Sequence, residues 1–275
     1  MQIRASMIKK YINFINESIK YLSTEELFNW LSERRNHTFI ALDTETTGLK
    51  GPRVDQLTQI AAIAFSFDYD SLSFIEVSRY NKKISLTSEI KALKQLPDSK
   101  IQGALKYNRY GVSRGKFQDE QVVIGELVDF VNQFEKSILL IQNSPFDMPM
   151  INIRAQFKKL ETEIFDTKDF FAYFLIPTLE KISETDPNAQ RILDTFGKSS
   201  SGKVYTSSLP KVAAGLGIDP SGAHDALYDC TYMVQTLEKA LEIVSNNPDI
   251  ERKDLLRQRI LTDRYIKAKD KMIRR

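Results

Sequence analysis

Phe39-Ile40-Ala41-Leu42-Asp43-Thr44-Glu45-Thr46-Thr47-Gly48 begins as an unbroken apolar run and ends in acidic and turn-forming residues. The run reads as a strand buried on both faces, which turns sharply at its glycine. Side chains two apart along a strand share a face, so Asp43 and Glu45 project together. Two carboxylates on one face repel unless a cation or a proton lies between them. Mg²⁺ and Mn²⁺ suit such a pair, because they take oxygen ligands and keep positions open for phosphate and water. A polar strand end would also carry turn residues, so the rest of the chain has to decide.

Working outward, the pattern divides the chain into elements. Ile8, Ile12, Ile15, Ile19 and Leu22 recur at helical spacing, predicting an amphipathic helix over 7–22. Ser23-Thr24-Glu25-Glu26 is a capping-box signature, opening a second helix with Leu27, Trp30 and Leu31 on its apolar side. Residues 59–67 and 73–84 read as two further strands, placed as hairpin neighbours. Residues 122–134 carry the helical repeat Ile124, Leu127, Val128, Val131 and Phe134, and residues 137–142 form a short buried strand. Strands followed by alternating helices and strands predict an α/β fold, a mixed β-sheet flanked by helices. Residues 190–208 read as a mobile polar insertion loop. Within it Gly197 to Lys203 satisfies G-x-x-x-x-G-K, but Val204 stands where a phosphate loop needs Ser or Thr, and no buried strand precedes it.

Composition narrows the class. The 275 residues are 42% hydrophobic and 27% charged, ordinary for a soluble globular protein, and no apolar run is long enough to span a bilayer. The first residues lack a secretory pattern. Cys230 is the single cysteine, which excludes an internal disulfide and a cysteine zinc site and points to a cytoplasmic setting. From Arg252 to Arg275 ten basic residues face three aspartates, a net of +7, so the remainder carries −4 of the overall +3. An acidic body with a basic helical tail fits carboxylates at a metal site and a polyanion held elsewhere; a solvated tail would look the same.

Three further pieces complete a constellation. Asn143-Ser144-Pro145-Phe146-Asp147 follows the short strand, so Asp147 also lies just past a strand end, where an aspartate can equally be a helix N-cap. His224-Asp225-Ala226-Leu227-Tyr228-Asp229 opens a helix running to about Ile243. Five helical steps would carry His224 roughly 140° around the axis from Asp229, so the two share a side only if His224 lies in the preceding turn. His37 has no carboxylate motif beside it and reads as structural.

Asp43-x-Glu45-Thr46-Thr47-Gly48, Asn143-x-x-Phe146-Asp147 and His224-x-Ala226-x-x-Asp229 together resemble the three signatures of the DEDDh 3′–5′ exonucleases, in matching order over about residues 38–245. That family includes the proofreading subunit of bacterial DNA polymerase, ribonuclease T and oligoribonuclease. The resemblance implies a ribonuclease-H-like fold. It also implies Asp43, Glu45, Asp147 and Asp229 as ligands of two Mg²⁺ or Mn²⁺ ions per site, and His224 as general base. By the same resemblance Thr46, Thr47, Gly48 and Leu49 meet the strand's 3′ end, with Asn143 and Phe146 as further substrate contacts. The family's His-Gly-Ile-type segment has only Arg109-Tyr110-Gly111-Val112 to match it.

The expected organisation is an N-terminal helical extension over 1–36, an exonuclease domain over 37–246 and a basic tail over 247–275. The expected activity is metal-dependent 3′–5′ hydrolysis of nucleic acid, with single-stranded DNA favoured over RNA. A polymerase or a replication or repair complex is a further conceivable partner, and a membrane is not. A non-catalytic nucleic-acid-binding protein is the alternative class. It would be expected to have lost one of the five site residues, and all five are present.

Overall fold

The structure, a computed structural model, describes residues 23–94, 100–108, 110, 116–198 and 205–248. The helix expected over 7–22 and the basic tail over 252–275 lie outside the described residues. A capping box built from Ser23 and Glu26 starts α1 (Thr24–Glu33), which buries Leu27 and Leu31. The decisive apolar run is central in β1 (Thr38–Thr46). It is followed by β2 (Leu57–Asp68), β3 (Ser73–Ile84), α2 (Ser88–Lys94), α3 (Lys100–Tyr107) and β4 (Phe117–Gln118). Then come α4 (Glu120–Asn132), β5 (Ser137–Ile141), α5 (Ser144–Arg154) and β6 (Glu163–Asp166). The chain continues through α6 (Thr167–Phe170), a π-helical turn (Phe171–Leu175), α7 (Ile176–Ile182), α8 (Pro187–Phe196), α9 (Leu209–Gly215) and α10 (Ala226–Ser245).

The six strands form one mixed sheet in the order β4-β3-β2-β1-β5-β6. β1, β2 and β3 form an antiparallel meander, whereas β5 runs parallel to β1 and β6 parallel to β5. The unbroken apolar run of β1 follows from cover on both faces. Phe39 and Ala41 enter a core shared with α1, the π turn, α8, α9 and α10, and Ile40 and Leu42 enter a second core under α4 and α5. This is a ribonuclease-H-like α/β fold, as the motifs implied.

One expectation is corrected, and one alternative reading falls away. Residues 190–196 belong to α8, capped by Asp186 and burying Ala189, Leu193 and Phe196. The Gly/Ser/Lys-rich run just beyond obscured that 3–4 spacing. Lys198 bridges Tyr205 in antiparallel fashion, while 199–204 lie outside the described residues. Asp147 is not the N-cap of its helix; Asn143 is, in a left-handed conformation at φ 72°, and Asp147 stands within the first turn.

Candidate active site

The site lies at the end of β1, where the apolar alternation gives way to carboxylates. Asp43 keeps the side of Phe39 and Ala41, toward α10, while Thr44 keeps the side of Ile40 and Leu42. The pairing register shifts between Glu45 and Thr46. Such a bulge bends a strand end and is a common device beside active sites.

Four elements converge on this strand end. Thr44 Oγ1 donates to Asp147 Oδ1 at 2.5 Å, tying β1 to α5. The turn that launches α5 is held by Asp166, which accepts the N–H groups of Asn143 (3.2 Å) and Ser144 (2.8 Å) and the Ser144 hydroxyl (2.7 Å). Asp166 also accepts Lys168 N–H, capping α6. It is a positioning residue that sequence reasoning missed, although an Asp at a strand end before Thr-Lys-Asp was a visible helix-start signal.

Asp229 comes from α10, docked through Ala226 and Cys230, both fully buried. Cys230 Sγ lies 3.5 Å from the carbonyls of Ala41 and Ala61, so the helix sits directly on the sheet just before Asp43. His224 lies in the turn before the helix, at φ 73°, and its N–H points at the Asp229 carboxylate (3.2 and 3.4 Å). The condition for His224 and Asp229 to share a side is therefore met. Asp225 caps α10 and also accepts Gln59 Nε2 at 3.3 Å, adding a fifth carboxylate beside the cluster.

The electrostatics follow from this crowding. Burial raises the Asp43 carboxyl well above its usual range, and Asp229, Asp147, Glu45 and Asp225 push it further. Glu45 is raised to about 8 by burial, then by Asp229, Asp147 and Asp225, with Lys83 opposing. Asp147 is raised to about 7, mainly by burial, against the Thr44 hydrogen bond. The Tyr232 phenol, one turn beyond Asp229, is raised by burial and then by Asp229 and Asp43. Like charges gathered at one strand end cost free energy unless cations or protons offset them.

The donor chemistry fits divalent cations. Ligand atoms of Glu45, His224 and Asp229 lie within 4.8 Å of one another, and Asp43 and Asp147 add oxygen donors beside them. An oxygen-rich set with one imidazole accommodates Mg²⁺ or Mn²⁺.

The expected substrate residues divide into two groups. Leu49 is 77% exposed at the rim, free to meet a ligand. Thr47 is 2% exposed, and its hydroxyl bonds Asp55 at 3.3 Å and receives Gln56 N–H at 3.0 Å. Thr46 Oγ1 donates to the Gly48 carbonyl, and the Thr46 carbonyl accepts Asn108 Nδ2 at 2.8 Å. A Cβ on Gly48 would lie 2.5 Å from Asp55 Oδ1, so a larger residue there would displace the Asp55 carboxylate. Asn143 is engaged with Asp166 and Lys168, and Phe146 packs on the second core. Thr47 is thus tied into the turn, whereas Asn143 and Phe146 are half-buried and Leu49 is the most exposed of the set.

A family model described as exonuclease, the ribonuclease T model, matches residues 40–237, spanning all three motifs. The chain belongs to the DEDDh exonuclease family. Among solved structures, the zinc-bound form of the E. coli exonuclease I complex with single-stranded DNA is 17% identical to this exonuclease, with a TM-score of 0.50. That match covers 78% of this chain and 42% of the other. Cell-death related nuclease 4 is 15% identical, with a TM-score of 0.40, over 75% of this chain and 64% of the other. The exonuclease thus spans less than half the length of the exonuclease I chains it matches. No curated protein sequence matches it. At these identities the likeness concerns the fold, and the nuclease assignment rests on the family match.

Proposed function

We propose that this nuclease hydrolyses single-stranded DNA from the 3′ end, with Asp43, Glu45, Asp147 and Asp229 holding two divalent cations and His224 acting as general base. The observation that carries the reading is the convergence of four carboxylates and one histidine from β1, α5, α10 and the turn before α10. Bound there, two cations would neutralise charge developing on the phosphodiester and acidify the attacking water.

The protein's own groups account for the remaining needs. His224 takes the proton of the attacking water, a role suited to an imidazole at neutral pH. As water attacks phosphorus, the bond to the penultimate 3′ oxygen breaks, releasing a 5′-mononucleotide and a shortened strand with a new 3′-hydroxyl. Leu49 stands at the rim beside the backbone at Thr46, where it would pack on the terminal base. Such contacts read a strand's end and not its sequence. The bulge at Glu45 and Thr46 bends the strand end toward that surface, and the Asn108 bond to the Thr46 carbonyl anchors it.

The test is digestion of DNA and RNA oligonucleotides labelled at the 5′ or 3′ end, with Mg²⁺, with Mn²⁺ and with chelator. A ladder shortening from the 3′ end of DNA, absent with chelator, is expected. Endonucleolytic fragments or full activity in chelator would overturn the reading, and faster RNA digestion would reassign the substrate.

A further inference from the structure

The pairing register carries a second polar row away from the carboxylates. Glu45 on β1 faces Gln59 on β2, which faces Lys83 on β3; the adjoining row is Asp43, Ala61 and Asn81. Residues directly opposite across a sheet project to the same face, so Lys83 shares the face of Glu45. It is only 8% exposed, yet it makes no ion pair and no side-chain hydrogen bond among the described residues. Its stem is packed away while the ammonium itself reaches solvent, open to an anion. The polar neighbours are committed to each other: Gln59 Nε2 donates to Asn81 Oδ1 at 3.0 Å and to Asp225 Oδ1 at 3.3 Å. Lys83 opposes the upward shift of Glu45 that burial and the neighbouring carboxylates cause, without forming an ion pair with it.

We infer that Lys83 binds a backbone phosphate of the substrate strand, alongside the carboxylate cluster. This rests on the exonuclease reading above and adds a specific anion site to it. A lysine ammonium is a compact charge with three rotatable donors, which suits a phosphate read without regard to sequence. It also supplies a positive group beside an acidic cluster, which favours entry of a polyanion.

The test measures binding of a 5′-fluorescein-labelled oligothymidylate by anisotropy over a range of NaCl concentrations. All proteins carry His224→Ala to prevent turnover. Lys83→Met and Lys83→Gln are compared with Lys83→Arg, each checked for folding by circular dichroism. The inference expects weaker binding in Lys83→Met and Lys83→Gln, with the slope of log K against log[salt] flattened by about 0.7, the value for one phosphate contact on a single strand. Lys83→Arg should keep most of the slope. Parental affinity and slope in whichever neutral variant folds would overturn the inference. If the parent itself binds no oligonucleotide and the wild type cleaves none, the exonuclease reading fails as well. Normal binding and cleavage with an unaltered slope in the variants removes Lys83 alone.

Discussion

The rings of Tyr107 and His224 lie 3.7 Å apart, centre to centre, with their planes inclined by 36°. Tyr107 ends α3, and the next residue, Asn108, donates its side-chain amide to the Thr46 carbonyl. One short segment therefore touches both the turn after β1 and the proposed base. Because Tyr107 is 62% exposed, the contact orients the imidazole more than it builds the core. His224→Ala is expected to lower kcat by about two to four orders of magnitude, the scale of a general base. Tyr107→Phe should retain the upfield ring-current shift of the His224 protons, and Tyr107→Ala should lose it. With only two histidines in the chain, these signals are readily assigned. Identical His224 shifts in all three proteins would rule out the stack in solution.

Asp43→Ala and Asp147→Ala are expected to abolish hydrolysis while the protein remains folded. Each removes a proposed ligand and at the same time relieves repulsion in the cluster. The cation-free Tm of either variant should match or exceed that of the wild type, and Mn²⁺ should raise it less. Near-normal hydrolysis by Asp43→Ala would refute the assignment.

Stability without cations should fall as the pH rises. Glu45 moves from 4.5 to about 8 and Asp147 from 3.8 to about 7 on folding. The folded state therefore binds more protons than the unfolded chain across that interval, and stability declines from about pH 4 through pH 8. Mn²⁺ should restore it, releasing protons as it binds. Thermal melts in chelator and in Mn²⁺ across this range test the sign; a chelator Tm that climbs with pH would contradict it.

Arg154 at the end of α5 forms a two-pronged pair with Glu120 (2.7 Å to each oxygen) and donates to the carbonyls of Pro52 and Asp55 (2.9 Å each). It thereby braces the loop between β1 and β2 that carries Leu49. Arg154→Met leaves the mostly buried Glu120 without its counter-ion, only the Leu57 N–H still donating to it, and should cost about 3 kcal/mol, near the lower end for a broken buried pair. Urea denaturation measures this. The double variant with Glu120→Met should recover part of the loss.

Ser23 accepts Glu26 N–H at 3.1 Å while Glu26 reaches back to Ser23 N–H at 2.6 Å. Ser23→Ala should destabilise the protein by about 1 kcal/mol without altering hydrolysis, since α1 carries no site residue. A change in kcat would show instead that the packing of α1 against the core it shares with α10 reaches the site.

Much of the design was legible in the chain alone. The capping box, the buried strand and the shared face of Asp43 and Glu45 follow from local rules, strand period two and the chemistry of caps. Asp147, Asp229 and His224, by contrast, were legible as site candidates through the resemblance of the three motifs to the exonuclease family. Local rules also specify chemistry that a metal site needs, because ligands are few and their residue types are restricted. Other features depend on distant segments meeting. Asp166 holds the turn before α5 from 19 residues past Asp147, and Tyr107 reaches His224 across more than a hundred residues. The isolation of Lys83 emerges only when three strands are set in register. No local pattern encodes such pairings, because they arise from the sheet order and from which helix packs on which face. The sequence alone determined which groups are candidates for the chemistry, because residue types and motif spacing are local. The tertiary structure decided which residues hold them in place, because that depends on sheet order and helix packing.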